Sequence, residues 1–159
     1  MNKNFSHEPP LNCDKCSRLF NYRKSIKFKY PSWHNRPVKS FGPINSKILI
    51  VGLAPGKRGA NRTGRPFTGD GAGETLYSAL IKNKLAFGTY RPNGKDDLKL
   101  KNCRITNLVR CVPPFNKPSA KEFSNCISYL INEIERMKKL QTIFTLGRDA
   151  YFTILKLYN

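Results

Sequence analysis

The chain has 159 residues, with 29 Lys+Arg against 10 Asp+Glu and a formal net charge of +19. That length supports one domain with its own core, and no apolar run approaches the ~20 residues of a membrane-spanning helix. An imbalance of this size points to a polyanionic partner, nucleic acid first; no basic amphipathic helix stands out that would suit a membrane surface.

The N-terminal stretch MNKNFSHEPP lacks an apolar core behind its charge and does not read as a secretory signal. An intracellular, cytoplasmic protein is expected, and disulfides are then disfavoured. The five cysteines therefore need another explanation. Residues 1–12, with Pro9-Pro10, read as an irregular lead-in. Cys13-Asp14-Lys15-Cys16 opens a segment, 14–30, that suits a helix and carries Lys15, Arg18, Arg23, Lys24, Lys27 and Lys29 against Asp14 alone. Such a face is either solvated or turned toward phosphates. Residues 31–46, with Pro31, Trp33, Pro37, Gly42 and Pro43, read as an ordered loop.

Ile48-Leu49-Ile50-Val51 is an unbroken apolar run, the pattern of a strand buried on both faces in a parallel sheet. The predicted strand spans about 47–52. It opens into a loop with seven of the eleven glycines (Gly52, Gly56, Gly59, Gly64, Gly69, Gly71 and Gly73) and four cations, Lys57, Arg58, Arg62 and Arg65. A helix is predicted over about 73–85, then loop and turn over 86–102 with Asn93-Gly94 as the main turn signal. A second strand is predicted at 103–109, ended by Pro113-Pro114. Ser119 and Glu122 form a capping box for a helix to about Lys139. A third strand follows at 141–146 and a last helix at about 148–157. Strands alternating with helices predict an α/β fold, a three-layer α/β/α sandwich around a small, mainly parallel sheet. A single domain over 1–159 is expected. Three strands make a thin sheet, so the domain is expected to be C-terminally incomplete or minimal.

Open α/β sheets bind ligands beyond the carboxyl ends of their strands, which is where the glycine loop falls. It is not a phosphate-binding P-loop. Three residues separate Gly52 from Gly56 where that motif needs four, and Arg58 stands where a magnesium-binding hydroxyl belongs. Of the ten acids, only Asp70 and Glu74 lie near the loop. Asp70 suits either a helix N-cap or the acid of a site. By the same sorting Glu8 belongs to the lead-in, Asp14 to the cysteine pair, Asp96 and Asp97 to a turn, Glu122 to a cap, and Glu133 and Glu135 to a helix. Cys13 and Cys16 have the spacing of two ligands to one metal centre, and Cys111 and Cys126 lie at a strand end and inside a helix. Four thiolates suit tetrahedral zinc or an iron–sulfur cluster, and buried free thiols are the alternative. Cys103, at a strand start, fits that plain buried role.

The segment GLAPGKRGANRTGRPFTGDGAG closely resembles the first active-site motif of the family 5 uracil-DNA glycosylases, and ITNLVRCVPPFNKP, residues 105–118, resembles their second strand and following loop. The cysteine framework is similar to the 4Fe–4S ligands of family 4 and family 5 enzymes. The likeness covers roughly residues 11–150. It implies that Gly52, Leu53, Ala54, Pro55 and Gly56 lie against an extruded base, that Phe67 stacks on uracil, that Asp70 is the catalytic carboxylate and that Asn107 reads the base edge. It also implies a 4Fe–4S cluster on Cys13, Cys16, Cys111 and Cys126, with zinc the weaker alternative. Related families carry a polar or acidic residue near the loop start; Ala54 there is the family 5 arrangement. Without the likeness, Phe67 reads as a core aromatic and Asn107 as a strand-end hydrogen bonder.

The implied function is DNA repair by cleavage of the N-glycosidic bond of uracil, and of other deaminated bases, in DNA, by a monomer. One departure from the pattern bears on activity. The family has a His-Pro-Ser motif after a further strand, whereas the two histidines here, His7 and His34, lie upstream of the sheet. The expectation is a fragment or a weakly active member. The alternative reading is a DNA-binding module with a structural metal centre and no turnover.

Overall fold

The apolar run at 48–51 becomes the middle strand of a parallel sheet. The computed structural model describes residues 6–159. Strand β1 (Ile48–Gly52) lies between β4 (Cys103–Asn107) and β5 (Thr142–Thr145), parallel to both. Successive side chains point to opposite faces of a strand, so β1 serves two cores. Ile50 packs with Tyr77 and Leu80 of α3 (Gly71–Lys82) and with Ile105. Leu49 and Val51 pack with Leu130 of α4 (Ala120–Arg136) and Ala150 of α5 (Arg148–Tyr158). That is the α/β/α sandwich expected from the sequence.

A third apolar cluster docks α1 (Ser17–Lys29) onto the exit of β4 through Leu19, Val109, Cys111, Cys126 and Tyr129. The N-terminal basic segment is thereby fixed to the sheet. The predicted capping box is present: Ser119 Oγ accepts from Glu122 N, and Glu122 Oε2 accepts from Ser119 N at 2.7 Å.

The second strand's pairing reaches its predicted limit near 109, and two short elements lie outside the predicted ones. The ladder of β4 continues past Asn107, because Leu108 N donates to Gly52 O and Val109 N to Leu53 O. The stretch predicted as loop and turn contains a small antiparallel hairpin, β2 (Ala86–Phe87) with β3 (Lys99–Leu100). Two-residue strands are too short to show a period. The glycine loop contains one unpredicted helical turn, α2 (Ala60–Thr63). No described helix is long and apolar enough to cross a membrane.

Candidate active site

The register of the sheet brings the carboxyl ends of β1 and β4 together, with Gly52 opposite Asn107. Phe67 reaches the same point from the glycine loop. A Cβ on Gly52 would fall 2.5 Å from Phe67 Cζ and 2.7 Å from Asn107 Oδ1, so this position admits no side chain. Gly52, Phe67 and Asn107 thus converge, although they come from separate stretches of the chain. Asn107 is buried, and among the described residues no hydrogen bond holds its amide. Phe67 is half-buried: it packs against the core of β1 and α3, while its ring edge faces Gly52 and Asn107.

Phe67 has φ +51, a backbone conformation uncommon for an aromatic residue, and the surrounding contacts hold it there. Tyr77 Oη donates to Pro66 O at 2.7 Å, and Thr63 Oγ1 donates to Thr68 O at 3.0 Å. Arg65 is gripped by both Asp96 oxygens, at 2.6 and 2.7 Å, and its Nε donates to Thr68 Oγ1. The guanidinium also lies 5.2–5.8 Å from the ring centres of Phe41, Tyr77 and Tyr90. The hydrogen bond from Arg65 holds the Asp96 carboxyl down at about 2, against the opposing effect of burial. Sequence sorting left Asp96 in a turn; in the fold it anchors the aromatic end of the glycine loop.

Asp70 is the N-cap of α3, with Oδ1 accepting from Gly73 N at 3.0 Å. Its other oxygen leans over the loop. A Cβ on Gly59 would fall 2.5 Å from Asp70 Oδ2, and one on Gly56 3.4 Å from it. The carboxylate is exposed. The cap reading of Asp70 is thus met by Oδ1, and Oδ2 is left free of it above the loop. Leu53 and Ala54 are half-buried beside the apolar clusters of α4 and α1, and Pro55 is buried.

The second constellation lies behind β4. Cys13, Cys16, Cys111 and Cys126 line one cavity with Leu19, Val109 and Tyr129. Arg110 N donates to Cys126 Sγ at 3.4 Å and Asn125 Nδ2 to Cys16 Sγ at 3.5 Å, contacts that suit electron-rich sulfur. Burial pushes the Cys111 thiol up to about 12 and raises Cys126 as well. No three of the described Cys, His, Asp or Glu side chains converge as ligands of a single ion. Four cysteines lining one cavity are a donor set of the kind a thiolate-held metal centre uses. Cys103 is buried apart from this cavity, its thiol donating to Leu85 O.

An acid of the lead-in and one of α4 meet the arginines of β4 and its exit. Glu133 is fully buried and accepts from Arg104 Nε at 2.5 Å and Arg110 Nη2 at 2.6 Å. Glu8 takes Arg104 Nη2 and Arg110 Nη1, each at 3.0 Å. The lead-in is thus tied to the sheet by ion pairs. No short-range pattern could reveal them, because Glu8 and Arg110 stand 102 residues apart.

Residues 39–159 match the model of the uracil DNA glycosylase superfamily. The chain belongs to this superfamily. It is 38% identical over 151 residues to the type-5 uracil-DNA glycosylase of Pyrobaculum aerophilum, covering 92% of this chain and 66% of that protein. To the type-5 uracil-DNA glycosylase of Thermus thermophilus it is 38% identical over 148 residues, covering 90% of this chain and 67% of that protein. A type-4 uracil-DNA glycosylase of P. aerophilum is 34% identical over 152 residues, covering 95% and 63%. The chain thus spans about two thirds of the length of these superfamily relatives.

Proposed function

We propose that this protein is a DNA repair glycosylase that cleaves the N-glycosidic bond of uracil, and of other deaminated bases, in DNA. The observation that carries the reading is the convergence of Phe67 and Asn107 over the bare backbone of Gly52, with Asp70 Oδ2 leaning across the same loop. The type-5 relatives support it by their names, and the net charge of +19 supports a DNA partner.

A base inside a duplex must leave the stack before its glycosidic bond is accessible, at a cost of a few kcal/mol. Phosphate contacts from the basic surface offset that cost. The extruded base lies against the backbone of Gly52–Gly56 and stacks on Phe67. The Asn107 amide donates to and accepts from the pyrimidine edge. Breaking the bond builds positive charge on the sugar and negative charge on the departing base. Asp70 steadies the first or orients the attacking water, and backbone N–H groups of the loop steady the second.

The four cysteines Cys13, Cys16, Cys111 and Cys126 hold a 4Fe–4S cluster in this reading. Its contribution is structural: it ties α1 to the exit of β4 and to α4. Cys126→Ser protein is expected to be colourless and low in iron where the parent is brown and iron-rich. Zinc in the parent by metal analysis would replace the cluster with a single-ion site. The protein is taken to act as a monomer inside the cell.

The direct experiment is incubation with a uracil-containing duplex followed by alkali, which should cut the strand at the uracil. An uncut strand at high protein concentration would end the glycosylase reading. Phe67→Ala removes the stacking face, worth about 1–3 kcal/mol per base. The variant should lose about tenfold or more in kcat/KM for uracil, and an unchanged value would assign the ring to the core alone. A second reading, a DNA-binding module without turnover, is favoured by the capping role of Asp70 Oδ1. It requires equal affinity for uracil-containing and plain duplexes.

A further inference from the structure

A cavity of about 310 Å³ opens between α1 and residues 35–36, and no glycine-loop residue lines it. Its wall includes Arg23, Lys24, Lys27 and Arg36, with Asn12 and Asn35 beside them, and none of the described residues lining it is acidic. The Phe20 ring gathers two of these cations, with Arg23 Cζ 5.6 Å and Lys24 Nζ 5.2 Å from its centre.

Arg23 is the informative member. It is only 4% exposed, and a buried charge ordinarily has a partner of opposite sign. The other buried arginines follow that rule, Arg104 and Arg110 both pairing with Glu133 and Glu8. Arg23 donates from Nη2 to Cys13 O at 2.5 Å, faces no described carboxylate, and has a buried Nε without an acceptor. It also borders the cysteine cavity, so a thiolate-held group there would take part of its charge. Lys24, Lys27 and Arg36 do not border that cavity and are exposed.

The pocket is joined to the candidate active site. Asn35 in its wall accepts from Asn61 Nδ2 at 2.9 Å, Asn35 N donates to Asn61 O at 3.0 Å, and His34 N donates to Arg62 O at 3.1 Å. Asn61 and Arg62 belong to α2, inside the glycine loop. The pocket wall and the loop are therefore one hydrogen-bonded unit.

We propose that this pocket is a phosphate site, and that it takes one backbone phosphodiester of the DNA strand whose nucleotide enters the glycine loop. The inference rests on the reading of the partner as DNA. It adds a named anchor that positions the strand while the base is out of the stack. Fixed phosphate contacts set register without reading sequence, so the site acts on any DNA, with or without uracil.

The test is the salt dependence of binding to a uracil-free duplex, followed by fluorescence anisotropy. The triple variant Lys24→Gln, Lys27→Gln, Arg36→Gln leaves buried Arg23 in place. Losing one phosphate contact should flatten the slope of log K against log salt by about 0.9. A control triple, Lys82→Gln, Lys84→Gln, Lys139→Gln, removes the same charge from exposed positions that do not line the pocket and should leave the slope as in the parent. Equal slopes for parent and pocket triple, or equal losses in both triples, would overturn the proposal. Inorganic phosphate is the second probe, read by the fluorescence of Trp33, the single tryptophan. A phosphate response that disappears in the pocket triple while the DNA slope stays unchanged would make this a free-anion site and overturn the DNA assignment. Because the duplex contains no uracil, the two readings fail separately. A parent that binds it with the expected slope but never excises uracil ends the glycosylase reading alone. A pocket triple with parental slope and intact excision ends the pocket alone.

Discussion

Asp70→Asn is expected to lower uracil excision by about a hundredfold or more while leaving the fold nearly as stable as before. The two halves of that expectation come from the two oxygens of one side chain. Oδ1 caps α3 by accepting from Gly73 N, and asparagine caps about as well as aspartate. What the substitution removes from the helix is a favourable charge at its positive end, worth about 0.3–1 kcal/mol. For a chain of this size that is a fall in Tm of about 3 °C or less. Oδ2 leans over Gly56 and Gly59, where the sugar of an extruded nucleotide would acquire positive charge, and a neutral amide cannot steady it. Asp70→Ala supplies the contrast, since it loses the cap as well, at ~1 kcal/mol. If excision depends on the charge, Asn and Ala variants lose similar rate but differ in stability. If Asp70 only caps, the Asn variant keeps its rate, and the catalytic assignment is wrong.

Asp70 also illustrates what could be read before the fold was known. Local signals sufficed for the elements: the apolar run 48–51 for a doubly covered strand, and Ser119 with Glu122 for a helix start. The convergence of Phe67 and Asn107 over Gly52 came from family resemblance, because residue type alone favoured a core aromatic and a strand-end amide. Phe67 is packed on the core, with its ring edge beside Gly52. The acids were placed correctly, but their partners could not be read wherever those were distant. Asp96 lies 31 residues from Arg65, and Glu133 lies 23 from Arg110. A lone glutamate on a helix defaults to a solvated face, and only packing can show that two arginines cover it. The β2–β3 hairpin escaped for the opposite reason, being too short to carry any pattern.

Glu133→Gln is expected to cost about 3–5 kcal/mol, the range for breaking a buried ion pair from one side. The side chain is completely buried between Arg104 and Arg110. Two arginines and two glutamates balance in this cluster, and the amide leaves Glu8 alone to compensate both cations. A domain stability of ~5–15 kcal/mol makes that a large fraction of the total, readable as a shift in the denaturant midpoint. Acid provides an independent check. Burial by itself would raise the Glu133 carboxyl, but Arg110 and Arg104 overcome it, and the group lies below its ordinary value of 4.5. A lowered folded-state value means that its contribution is complete above 4.5 and is lost as pH falls through the lower, folded value. The parent should therefore lose stability more steeply than Glu133→Gln as the solution is acidified below that point. Equal acid slopes, or a cost under ~1 kcal/mol, would show that Glu8 suffices. A larger effect has a consequence at the site, because Arg110 follows Asn107 by three positions and donates its backbone N–H to Cys126 Sγ. Loosening Glu133 should then lower uracil affinity and iron retention together, whereas a purely global destabilisation would leave both intact in the fraction that remains folded.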